Sequence, residues 1–135
     1  MKRQIFLNLP VKDLKKSMSF FSGLGFEYHS KFTGDTAACM IIEENISCML
    51  VTEPFFKSFI PTTTISDANK QTEVLLCISA ESRLRVDEMF NKAIASGATT
   101  VRPAQDHGFM YGQTFQDLDG HIWEVMWMEA EAAKG

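Results

Sequence analysis

Apolar and polar residues alternate from residue 4 to residue 11. Ile5, Leu7, Leu9 and Val11 fall on one side of a strand, and Gln4, Phe6, Asn8 and Pro10 on the other. The period then changes. Asp13 is placed to cap a helix, and Leu14, Met18 and Phe21 follow at i, i+4 and i+7 with Lys15, Lys16 and Ser19 between them. Gly23 and Gly25 stop that helix. Short strand-like runs come next at 26–33, 37–42 and 46–51, separated by Gly34-Asp35 and by Glu43-Glu44-Asn45.

From 54 to 71 the pattern lapses. Pro54, Phe55, Phe56 and Phe59 lead through Pro61 and three threonines to Asp67, Asn69 and Lys70, which predicts a connection with a mobile polar centre. The first pattern then repeats. A strand is expected over 72–79, with Val74, Leu76 and Ile78 opposite Glu73, Leu75 and Cys77. Ser82 can cap a helix whose apolar stripe is Val86, Met89, Phe90, Ala93 and Ile94, and Gly97 ends it. Strands follow at 99–102, 111–116 and 121–128. Asp117-Leu118-Asp119-Gly120 turns between the last two, and the tail after Glu129 is expected to fray.

The chain therefore reads as strand, helix and three strands, twice. This predicts an α+β fold of two tandem βαβββ modules in one domain spanning 1–135: module one over about 4–53, a linker over about 54–71, and module two over about 72–128. Curved sheets of this kind can enclose a shared cavity between the modules.

Composition narrows the function. The chain has 135 residues, 45% apolar and 22% charged, with a net charge of −4. That suits one globular domain and gives no basic excess for nucleic acid. No run is long and apolar enough to cross a bilayer, and the N-terminus lacks the apolar core of a signal peptide, so a cytoplasmic protein with no membrane partner is expected. Cys39, Cys48 and Cys77 each sit in an apolar run and are expected to be reduced and buried. Nucleotide-binding loops, H-E-x-x-H and nucleophile-elbow motifs are missing from the sequence, which weakens nucleotide-dependent and hydrolase readings. Phe 11 and Met 8 exceed what two helix stripes need. The surplus points to an apolar pocket suited to an aromatic or amphipathic molecule.

The opening Leu9-Pro10-Val11-Lys12-Asp13-Leu14, the pairs Phe20-Phe21 and Leu24-Gly25-Phe26, and the closing Asp117-Leu118-Asp119-Gly120-His121-Ile122-Trp123-Glu124 together resemble the vicinal oxygen chelate superfamily. This group includes glyoxalase I, bleomycin and fosfomycin resistance proteins and extradiol dioxygenases. Gln105-Asp106-His107-Gly108-Phe109-Met110-Tyr111-Gly112 is similar to a glyoxalase-like subgroup. The resemblance implies a cup-shaped sheet, a homodimer, and either a divalent metal (Zn, Ni, Fe or Mn) serving a lyase or dioxygenase, or a metal-free cleft that sequesters a drug.

In that superfamily, metal ligands come from four strand positions. Here they fall on Phe6 (with Asn8 beside it), near Met49, on Glu73 and on Glu124. Phe6 and Met49 cannot bind a hard cation, so a small-molecule ligand without metal catalysis is the first expectation. A metal-dependent lyase or extradiol-type dioxygenase using Glu73 and Glu124 is the alternative, and a resistance-type sequestering protein is a further one. The two faces of the strand carrying Glu124 are both apolar, so this glutamate needs a partner. If Glu73 faces it, the two are candidates for general acid–base catalysis. Phe6, Asn8, Met49, Cys77, Phe115 and Met126 are expected to line the ligand cavity. His107, Met110 and Tyr111 are expected to close over it from a glycine-bracketed loop.

Overall fold

The face of the first strand marked by its alternation is the one that is buried. In β1 (Ile5–Val11), Leu9 and Val11 are covered while Phe6 and Asn8 on the opposite face are exposed. The computed structural model describes residues 1–133 and divides into two units, Met1–Ser66 and Asp67 onward.

In the first unit β1 is followed by α1 (Leu14–Gly23), β2 (Glu27–Tyr28), a 3-10 turn (Ser30–Phe32), β3 (Ala37–Glu43), β4 (Ile46–Thr52) and α2 (Glu53–Phe59). The sheet order is β1-β4-β3-β2, with β1 parallel to β4 and the other pairs antiparallel. Asp13 caps α1 by accepting a hydrogen bond from Lys16 N at 3.1 Å. Gly25 ends the turn after the helix at φ +102°, where a side chain would be strained. The helix buries Leu14, Ser17, Phe20 and Phe21, a stripe rotated from the expected one, because Phe20 and Phe21 both turn inward and meet edge to face at 4.9 Å. Met18 is only half-buried. Under α1 lie Ala38, Met40, Cys48 and Leu50. Each large side chain there contributes roughly 1.5–3 kcal/mol by leaving water. Tyr28 is drawn into this layer, donating its hydroxyl to Met18 O at 3.0 Å, and burial pushes its pKa up to about 12.

Two expectations for this unit change. The run 26–33 is a two-residue strand followed by a 3-10 turn, since Phe32 N and Thr33 N bond back to His29 O and Ser30 O. The stretch expected to be a connection begins as helix α2, with Pro54 in its first turn, where the missing N–H costs nothing. Phe55 and Phe59, four apart, bring their rings to 4.9 Å.

The second unit contains β5 (Leu75–Ser79), α3 (Arg83–Ala95), β6 (Thr99–Asp106), β7 (Met110–Gln116), β8 (Ile122–Met128) and α4 (Ala130–Ala133). Its sheet order, β5-β8-β7-β6 with β5 parallel to β8, repeats that of the first. Ser82 caps α3 through Arg85 N at 3.2 Å, and Gly97 follows its end at φ +111°. Val86 and Ala93 of the predicted stripe are buried, and α3 packs on β7 and β8. β5 starts at Leu75 rather than at residue 72. β6 runs past Pro103 because it is an edge strand whose register shifts twice around the proline, so the lost N–H breaks no central ladder. The expected fraying tail opens as the short helix α4, and Lys134 and Gly135 lie outside the described residues.

The turn 117–120 is organised around the buried Asp117 carboxylate. Asp117 Oδ1 accepts the amides of Asp119 and His121 at 2.9 and 3.0 Å, and Oδ2 accepts the indole N–H of Trp123 at 3.0 Å. Gly120, at φ +93°, leaves no room for a Cβ, which would stand 2.7 Å from Asn69 Oδ1 and 2.8 Å from the backbone around it.

Candidate functional site

Strand register determines which residues share the sheet face opposite α1. In module one the pairings Phe6–Ser47–Ile41 and Asn8–Met49–Cys39 form adjacent rows across β1, β4 and β3. On this face lies a cavity of about 350 Å³, near the small end of ligand pockets. Phe6, Ile41, Ser47, Met49 and Cys39 form its floor, and Gln4 with the Glu43-Glu44-Asn45 turn closes one end. His29 and Phe32 form a side wall, their rings 5.5 Å apart. That wall is anchored to β3 by His29 N donating to Cys39 O at 2.9 Å and Cys39 N donating to Thr33 Oγ1 at 3.1 Å.

The open face of module two differs in character. Register aligns Cys77, Glu124, Thr114 and Arg102 in one row across the sheet. Arg102 Nη2 reaches over the buried Thr114 to Glu124 Oε1 at 3.3 Å. The partner that Glu124 requires is thus Arg102. The Cys77 thiol lies beside the same carboxylate, and its pKa is raised by partial desolvation, then by the charge and hydrogen bond of Glu124.

The sequence-derived site residues divide between these faces. Phe6 and Met49 line the cavity of module one, and Asn8 stands beside Met49 on the same face. Cys77, Glu124, Met126 and Met110 share the open face of module two. Others require correction. Phe115 pairs with Trp123 and is buried under α3, because antiparallel register places it on the face opposite Glu124. Tyr111 shares that helix-covered face, donating its hydroxyl to Asp87 Oδ1 at 2.6 Å. Glu73 is exposed ahead of β5, and Cys77 rather than Glu73 stands opposite Glu124. Cys77 is exposed on an edge strand, not buried like Cys39 and Cys48.

The loop containing His107 is the tip of the β6–β7 hairpin. It is held down by Arg83, which bonds both oxygens of Asp106 at 2.8 and 2.9 Å and also Gly108 O at 2.8 Å. The guanidinium carbon lies 5.1 Å from the ring centroids of both Tyr111 and Trp127. Of the Phe-Met-Tyr cluster there, this clamp engages Tyr111, while Phe109 is 50% exposed.

Sequence reasoning missed His29, Phe32, Cys39, Ile41 and Arg102. With Met49 facing the cavity, period-two alternation gives Ser47, but Cys39 and Ile41 need the β3–β4 register. The 3-10 turn carrying Phe32 and the shifted register around Arg102 leave no periodic signal.

A family model for the Glyoxalase/Bleomycin resistance protein/Dioxygenase superfamily matches residues 3–125, and the chain belongs to that superfamily. Among solved structures it is similar to a hypothetical protein from S. aureus, with 25% identity and a TM-score of 0.78, covering 94% of this chain and 95% of that one. A glyoxalase/bleomycin resistance protein/dioxygenase family enzyme from Burkholderia phytofirmans PsJN shares 14% identity at a TM-score of 0.78, covering 91% and 96%. A fosfomycin resistance protein from Mesorhizobium loti shares 11% identity at a TM-score of 0.71, covering 100% and 99%. No curated protein matches the chain.

The superfamily includes metal-dependent members, so the donor set matters. Of the positions at issue, Phe6 and Met49 are apolar cavity walls, Glu73 is exposed outside its sheet, and Glu124 is already bonded to a guanidinium that would repel a divalent cation. Among the described residues no group of three or more His, Cys, Asp or Glu side chains converges. These residues do not fit a divalent metal.

Proposed function

We propose that this protein binds a small organic molecule with an aromatic or amphipathic body, on the open face of module one and without help from a metal. The supporting observation is the cavity of about 350 Å³ walled by Phe6, Phe32, Ile41 and Met49, with polar groups gathered at one end. Such a site stabilises a ligand by taking apolar surface out of water and orients it through the few polar contacts.

Thermal-shift and fluorescence titration with a panel of aromatic compounds and small dicarbonyls tests this reading. An aromatic compound should raise Tm without added metal. Met49→Lys should weaken it by about 100-fold, because an ammonium is forced into the apolar wall. Glu124→Gln should leave its affinity unchanged. Stoichiometric metal in the purified protein, lost on Glu124→Gln, with dicarbonyls binding only when metal is present, would replace this reading by a metal-dependent lyase or dioxygenase.

A further inference from the structure

The cavity of module one carries a charge pattern, and we infer from it that the ligand is an organic cation: a flat aromatic body bearing an ammonium, amidinium or pyridinium group. The inference rests on the reading of that cavity as the ligand site, and adds the sign of the ligand's charge.

Two features point the same way. Two aromatic side chains line it, Phe6 and Phe32, which are 53% and 57% exposed. The face of an aromatic ring is the negative part of its quadrupole and attracts a cation. Phe32 already has an ammonium within reach, Lys31 Nζ at 6.0 Å from its centroid. At the β3–β4 turn the cavity ends in the carboxylates of Glu43 and Glu44, while no lysine or arginine among the described residues lines it.

The two carboxylates are not equivalent. Glu44 faces Lys2 at 3.6 Å, a pair whose side chains are both well exposed and so weakly coupled. Glu43 accepts the amide of Glu44 at 3.2 Å and has no ion-pair partner among the described residues. An aromatic cation therefore finds aromatic side chains for its body and Glu43 for its charge. An anion of the same shape meets both with the wrong sign.

Three naphthalene probes of one shape separate the possibilities: naphthylmethylammonium, naphthylmethanol and naphthylacetate. They are titrated by their own fluorescence at low salt and pH 8. The ammonium probe should bind about five- to tenfold more tightly than the alcohol, the scale of a cation–π contact with a partly exposed carboxylate. The acetate should bind most weakly. Glu43→Gln should cut the preference for the cation about two- to threefold while leaving the alcohol's affinity unchanged, and Glu44→Gln should reduce it less. Equal binding of ammonium and alcohol, or a preference unchanged by Glu43→Gln, would overturn the charge assignment and leave the cavity reading standing. Binding of none of the three would overturn both.

Discussion

The two modules repeat one topology but carry opposite chemistry on their open faces. Asn8 and Cys77 each lie five residues before the residue capping the next helix, Asp13 and Ser82 (13 − 8 and 82 − 77). Their parallel partners are Met49 and Glu124. These two positions are therefore equivalent, and one holds a thioether in the wall of a cavity while the other holds a carboxylate in an ion pair. Module one keeps its carboxylates at the turn end of an apolar hollow. Module two places charge in the middle of its face and neutralises it across Thr114. A duplicated fold thus constrains backbone and core, and leaves the open face free to diverge.

The β3–β4 and β7–β8 turns sharpen this contrast and give the largest expected effect on stability. Asp117 in the second turn is buried and satisfies two amides and an indole. Asp117→Ala should cost about 2–3 kcal/mol in urea unfolding, because those donors lose their acceptor in a site closed to water. Glu44→Ala in the exposed first turn should cost less than about 0.5 kcal/mol. Burial holds the Asp117 carboxyl above its ordinary pKa, despite the opposing pull of His121, Trp123 and the turn amides. The folded state therefore keeps that proton to higher pH than the unfolded chain. This contribution to stability should fall as pH rises from about 3.8 toward the raised value, and Asp117→Asn should flatten the decline. Equal costs for the two turns would break the contrast.

The same asymmetry explains what could be read from the sequence. Both caps, both helix-ending glycines, the α3 stripe and the turn at 117–120 were legible, because each is a local pattern with one cheap solution. In the candidate site, Phe6 and Met49 were legible because alternation alone separates strand faces. Phe115 falls on the face opposite the expected one and Tyr111 on a strand face rather than in a closing loop, since both placements need the antiparallel register with β8. Arg102 was invisible, because the irregular register around Pro103 decides which side chains reach Glu124.

A smaller effect should appear at the thiols. Cys77 lies beside Glu124 on an exposed face, while Cys39 is buried in the cavity floor. Glu124→Gln removes a negative charge, so the Cys77 pKa should fall toward the ordinary thiol value without reaching it, because desolvation is the larger cause of the shift. The pH profile of alkylation should shift to lower pH for Cys77, with Cys39 unreactive throughout. An unchanged profile would show that Glu124 does not govern the thiol.

The smallest effect tests whether the β6–β7 tip is clamped rather than free to close over a ligand. The Arg83 guanidinium first, and the Gly108 amide after it, hold the Asp106 carboxyl at a pKa of about 2, below its ordinary 3.8. A depressed carboxylate stabilises the fold in full above its unfolded pKa and loses that contribution as pH falls through the folded value. The window here runs from about 3.8 down to about 2. In an NMR titration, Arg83→Gln should move the Asp106 midpoint up toward 3.8. The global stability change should be small, because both partners are well exposed and water screens the pair. An Asp106 that titrates near 3.8 in the parent protein would mean that the tip is not held by Arg83, and would reopen the loop at His107 as a moving part.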